Sequence, residues 1–183
     1  MMKEIRLHGR GGQGGVTSAE LVAIAAIDEG RFAQAFPSFG PERRGAPVAA
    51  FVRVSDKQIR TREKVYHPDI VMVLDPSLPA LVNVSDGIKD DGIVILNTQL
   101  SAGEIRDSFG IKTRIATVDA TSIAAEVLGL PITNTTMLGA LLKATGIVGM
   151  DALGTALENR FGKLAEKNRA AMERAFEETA VSA

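Results

Sequence analysis

The chain has no cysteine, no tryptophan and one tyrosine among its 183 residues. Without thiols it can form no disulfide, no thiolate nucleophile, no cysteine-ligated zinc and no cysteine-ligated iron–sulfur cluster of its own. An electron carrier of that kind would have to sit on another chain. Aromatics make up 4% and the formal net charge is -1, so both stacking platforms and a basic field are missing and nucleic acid is not expected as a partner. No apolar run is long enough to span a membrane, and Met1 leads into Lys3, Glu4 and Arg6 rather than into the apolar stretch of a signal peptide. A cytoplasmic protein without a membrane partner is expected. The two histidines, His8 and His67, are isolated, with no ligand spacing and no serine–carboxylate company. Neither receives a role, and no catalytic or metal-binding residue is assigned.

Hydrophobic residues at 45% are enough for one folded domain over residues 1–183. Short β-rich apolar runs alternate with helical patterns, which predicts an α/β fold. Its elements are a mostly parallel sheet with an inserted hairpin, helices on both faces and a C-terminal helical pair. Strands are predicted at Lys3 to His8, Val48 to Val54, Asp69 to Leu74, Gly92 to Leu96 and Thr113 to Val118. The hairpin is expected from Val48 to Val54, through a turn at Ser55, Asp56 and Lys57, into a partner strand over Ile59 and Thr61. Thr17 followed by Glu20 has the spacing of a capping box for a helix running to about Glu29. Further helices are predicted over Ser122 to Leu128, from Asn134 or Thr135 to Ala144, and over Asp151 to Phe161 and Lys163 to Glu178. Three of the strands end at Asp75, Asn97 and Asp119, and in open α/β sheets such carboxyl ends face the ligand crevice. Acids there can hold a ribose or cap the next helix, and Thr121 and Ser122 favour capping for Asp119.

Between the first strand and the first helix stands Gly9-Arg10-Gly11-Gly12-Gln13-Gly14-Gly15. Glycines allow positive φ and close backbone approach, so successive N–H groups there can turn toward one anion, with the helix N-terminus behind them. Gly9, Gly11 and Gly14 also satisfy G-x-G-x-x-G, but the acid a dinucleotide site places about twenty residues on is missing, with Gln34 near that position. A phosphate or carboxylate is therefore the expected guest. The competing readings are a tight turn kept clear for packing or for another chain, and a stand-alone NAD(P)- or nucleotide-binding protein.

A second constellation is the rigid segment Phe36-Pro37-Ser38-Phe39-Gly40-Pro41-Glu42-Arg43-Arg44-Gly45-Ala46-Pro47. Its prolines and glycines preset the loop, which suits an interface or an anion clamp. Phe39, Glu42, Arg43 and Arg44 are its candidate residues, the arginines first as ion-pair partners of Glu42 or a neighbouring chain and second as phosphate or carboxylate contacts.

Taken in order, Gly9 to Gly14, Phe36 to Pro47 and Asn134-Thr135-Thr136-Met137-Leu138-Gly139-Ala140 resemble the gamma subunit of 2-oxoacid:ferredoxin oxidoreductases. The resemblance covers nearly the whole chain, and Arg-Arg-Gly-Ala-Pro is more like the pyruvate and branched-chain branches than the 2-oxoglutarate branch. It implies an accessory subunit, inactive alone, of a complex that converts a 2-oxoacid and coenzyme A to acyl-CoA, carbon dioxide and reduced ferredoxin. It further implies alpha, beta and delta partner subunits, which carry the thiamine diphosphate, its Mg2+ and the 4Fe-4S clusters, while gamma holds no cofactor alone. Coenzyme A would be a shared substrate, its phosphates on Gly9, Arg10, Gly11, Gly12, Gln13, Gly14 and Gly15, with charge from Arg10 and a hydrogen bond from Gln13.

Overall fold

The computed structural model describes residues 1–38 and 44–182. One seven-stranded sheet forms, in the order β2-β3-β1-β4-β5-β6-β7. The strands are β1 Met2–Arg10, β2 Phe32–Pro37, β3 Pro47–Ser55, β4 Ile70–Val73, β5 Ile93–Asn97, β6 Arg114–Val118 and β7 Ala180–Ser182. β1, β4, β5 and β6 run parallel, and antiparallel strands flank this block on both sides. The helices are α1 Gly15–Asp28, α2 Ala102–Phe109, α3 Ala120–Leu128, α4 Asn134–Thr145, α5 Met150–Phe161 and α6 Ala165–Glu178.

Period-two alternation in the central strands makes two cores. Ile5, Leu7, Met72 and Ile95 face α1, α4, α5 and α6, while Val71, Val73, Val94 and Leu96 face Ile105 of α2 and Leu78 of a short 3-10 turn. The first core includes Leu21, Leu138, Leu141 and Leu157, each about 1% exposed or less. Burying each of these isobutyl groups is worth on the order of 2 kcal/mol. Every α4 residue from Asn134 to Leu142 is buried, so this helix lies inside the protein between the sheet and α6. The charged face of α6 is solvated, with Arg169 bridging Asp151 and Glu173, and Arg174 bridging Glu126 and Glu178.

The inserted hairpin is present, but its strands differ from those expected. β3 pairs with β2, Phe36 opposite Phe51, and residues 58–61 form no strand. The chain leaves α1, makes β2, and returns as β3 between β2 and β1. The alternating Ile59 and Thr61 are used otherwise: the 56–64 segment runs along the surface, and its Ile59 and Lys64 carbonyls accept from Gln34 and Arg53. Arg53, 1% exposed, also donates to Glu4 Oε1 at 2.8 Å and lies over the Phe36 ring. The capping box expected at Thr17 does not form. α1 starts two residues earlier behind Gly14, with no side-chain cap, whereas a capping box joins Ser101 and Glu104 at the start of α2.

Candidate functional site

The chain order of the sheet reverses at β1, which has β4 on one side and the inserted β3 on the other. The connections leaving β1 and β4 therefore diverge to opposite sides of the sheet, the place where α/β sheets put their ligands. The glycine loop stands there. β1 runs through Gly9 and Arg10, and a Cβ on Gly9 would lie 3.3 Å from Leu74 Cδ1, so this glycine permits strand–strand packing. Gly12 and Gly14 take φ of 91° and 79°, the left-handed region open to glycine. The N–H groups of Gly15, Val16 and Thr17 belong to the first turn of α1, where no carbonyl precedes them in the helix, and none has an acceptor among the described residues.

The second constellation meets the loop. Gly11 N–H donates to Ala46 O at 2.9 Å, Gly45 N–H donates to Gly11 O at 3.1 Å, and Arg10 Nη1 donates to Gly45 O at 2.9 Å. Arg44 beside them is exposed and makes no ion pair among the described residues. Phe39, Glu42 and Arg43 lie outside the described residues.

Asp75, at the end of β4, organises the loop from the far side. Its Oδ2 accepts from Arg10 Nε at 3.1 Å and from Gln13 Nε2 at 2.7 Å, and its Oδ1 accepts from Ser77 N–H at 2.9 Å. Gln13 Oε1 accepts from Arg10 N–H at 2.7 Å, and Arg10 Nη2 donates to Ser77 Oγ at 2.7 Å. Burial alone would raise the Asp75 carboxyl, but the bonds from Ser77 and Gln13 and the Arg10 charge together hold it below its ordinary value. Arg10 and Gln13 thus stand at the loop as expected, but their side chains hold the loop's shape instead of pointing donors outward. That link crosses more than sixty positions, and the only sign of it in the sequence is an acid at a strand end.

The neighbouring ends of β4 and β5 and the approach to α4 carry buried polar groups. Asn97 Nδ2 donates to Leu74 O at 2.8 Å and to Thr121 Oγ1 at 2.9 Å, and Thr133 Oγ1 donates to Leu74 O at 3.4 Å. Asp119 caps α3 as expected, accepting from Ser122 N–H at 3.0 Å. Asn134, read in the sequence only as part of a resemblance, lies against the glycine loop: a Cβ on Gly14 would sit 2.5 Å from its Nδ2. His8 is half-buried beside Arg6, whose Nε donates to His8 Nε2 at 3.0 Å. Burial first, and the Arg6 charge second, push His8 down to about 4, so it is a neutral structural group near pH 7. Among the described residues no three His, Asp or Glu side chains gather as a metal site, and no helix is long and apolar enough to cross a membrane.

A dinucleotide site needs the strand after the first helix to lie beside the first strand, with an acid at its end. Here β3 occupies that place and β2 is one strand further out. The arrangement is instead an α/β subunit whose parallel block is flanked by antiparallel strands, with the glycine loop at the end of β1. Residues 4–178 match the family described as pyruvate ferredoxin/flavodoxin oxidoreductase, and the chain belongs to that family as a subunit of the gamma kind, part of a multisubunit oxidoreductase. It is 54% identical over 182 residues to the pyruvate/ketoisovalerate oxidoreductases common subunit gamma of Pyrococcus abyssi, covering 98% of each chain. It is 51% identical over 178 residues to pyruvate synthase subunit PorC of Methanothermobacter thermautotrophicus, covering 97% of this chain and 96% of that one. The crystal structure of pyruvate oxidoreductase subunit PORC from Thermotoga maritima superposes with a TM-score of 0.88 at 38% identity, covering 100% of this chain and 99% of the other.

Proposed function

We propose that this chain acts as one gamma-type domain within a cytoplasmic pyruvate:ferredoxin oxidoreductase, completing the coenzyme A site and packing against alpha, beta and delta subunits. The observation that carries the reading is the loop at the sheet's switch point. Its two positive-φ glycines and the free first-turn N–H groups of Gly15, Val16 and Thr17 suit a phosphate, and Asp75 holds them in place before a ligand arrives. Names of the relatives point to pyruvate as the 2-oxoacid. The chain's lack of cysteine supports keeping 4Fe-4S clusters on other subunits, with thiamine diphosphate and Mg2+ there as well. Coenzyme A is then a shared substrate, and ferredoxin receives electrons through the complex.

Hydrogen exchange on the purified complex tests this. Coenzyme A is expected to slow exchange of the amides from Gly11 to Thr17, NAD is expected to leave them unchanged, and the isolated chain is expected to show no pyruvate decarboxylation. Protection by NAD and not by coenzyme A would overturn the reading. A second role at the same edge follows from Leu130 and Ile132, 57% and 52% exposed just before α4. Such apolar side chains suit a neighbouring subunit, and their amides are expected to be protected in the complex with or without coenzyme A.

A further inference from the structure

We infer that Asn134 is the side chain that donates to the phosphate at the glycine loop, an inference that rests on the coenzyme A reading above. The sequence points to Arg10 and Gln13 for that task, but all three Arg10 guanidinium nitrogens and both Gln13 amide atoms already have partners within the protein. Asn134 is different. It is 7% exposed, yet its carboxamide has no hydrogen-bond partner among the described residues. Its amide atoms are not fully enclosed, so they reach solvent beside the glycine loop, where a ligand can replace water as their partner.

Its position fits that ligand. Asn134 opens α4 as Gly15 opens α1, and Ser18 Oγ of α1 donates to Asn134 O at 3.1 Å, so the two helices are tied together at their N-termini. The Asn134 Nδ2 packs on Gly14, the residue that precedes the free N–H groups of Gly15, Val16 and Thr17. A phosphate oxygen there would meet backbone donors from α1, the Asn134 amide and the partial positive charge of two helices. The same contact accounts for Gly14 beyond its φ of 79°, since any Cβ would strike the amide.

The experiment measures coenzyme A affinity by calorimetry in the purified complex carrying Asn134→Asp or Asn134→Ala. Asp replaces the donor with a repelling carboxylate yet favours the first turn of α4, so folding is retained while the dissociation constant rises by more than roughly tenfold. Ala removes the donor alone, and a rise of roughly fivefold is expected. Melting temperature separates roles: a merely structural Asn134 would lower it in Asn134→Asp without moving the dissociation constant. Hydrogen exchange at Gly14 to Thr17 is followed in parallel on the unsubstituted complex. Protection by coenzyme A there, with both variants binding as tightly as the parent, overturns the role of Asn134 alone. No protection overturns the coenzyme A reading and this inference with it.

Discussion

Gln13 Nε2 donates to Asp75 Oδ2 at 2.7 Å, and through that bond the end of β4 sets the shape of a loop that begins at the end of β1. The same carboxylate oxygen holds Arg10, so one side chain restrains both ends of the turn.

Asp75→Ala should therefore loosen the loop rather than unfold the sheet. We expect faster amide exchange at Gly11 to Gln13 and a stability loss of about 2 kcal/mol, since Arg10 and Gln13 lose their shared acceptor. Denaturant titration reads the second quantity, and an unchanged exchange pattern would refute the restraint. Asp75→Asn keeps one acceptor and should fall between.

His8 makes the folded chain sensitive to mild acid. The unfolded histidine takes up its proton near 6.5 and the folded one near 4, so between these values the unfolded state binds more protons. Stability from this group is whole above pH 6.5 and falls as the pH is lowered, by about 3 kcal/mol on reaching 4. His8→Gln should flatten that part of the stability–pH curve, while the depressed carboxyls of Asp69, Asp75 and Asp119 go on to lose stability at still lower pH.

Gly139 sits where α4 and α6 touch. A Cβ there would overlap the Met172 carbonyl and lie 2.8 Å from Phe176 N, both backbone atoms that cannot turn aside. Gly139→Ala is expected to cost about 3 kcal/mol despite alanine's better helix propensity, because α6 must move outward. Thermal melting of the purified chain checks the sign, and a stabilised Gly139→Ala would show that α6 is free to shift.

Thr136, three residues before it, carries the opposite expectation. Its hydroxyl is fully buried with no partner among the described residues. Thr136→Val keeps the shape and removes the unpaired oxygen, so stability should rise by about 1 kcal/mol, measured as a higher denaturant midpoint at constant slope.

The sequence showed those parts of the fold whose residues speak for themselves. β4 and β5 are apolar on both faces and stand out as short runs, while β1 and β6 show the apolar residues Ile5, Leu7, Ile115, Ala116 and Val118 among polar ones. β2 does not, because Phe32 to Pro37 is an outer strand with every residue at least partly exposed. Its pairing with β3 also spans a nine-residue connection, whereas Ser55 to Lys57 offers turn residues close at hand. α2 is hard to see despite the capping-box spacing of Ser101 and Glu104, because its eight residues bury a single apolar side chain, Ile105. In the site, the glycine loop and the Arg44 segment are each legible as motifs, but their meeting through Gly11, Gly45 and Ala46 is not. The partners of Arg10 and Gln13 were not, since only the parallel pairing of β1 with β4 brings Asp75 to them.

Among the strands of this sheet β1 is synthesised first, yet it lies in the interior, with Ile5 opposite Val52 on one side and Ile70 on the other. Neither neighbour exists when it leaves the ribosome. Its apolar residues must wait through the synthesis of α1 and the hairpin, and the sheet cannot close around it until β4 has emerged. Closure of the sheet around β1 thus waits for synthesis to pass Val73, and long-range pairing rather than helix formation sets its earliest moment.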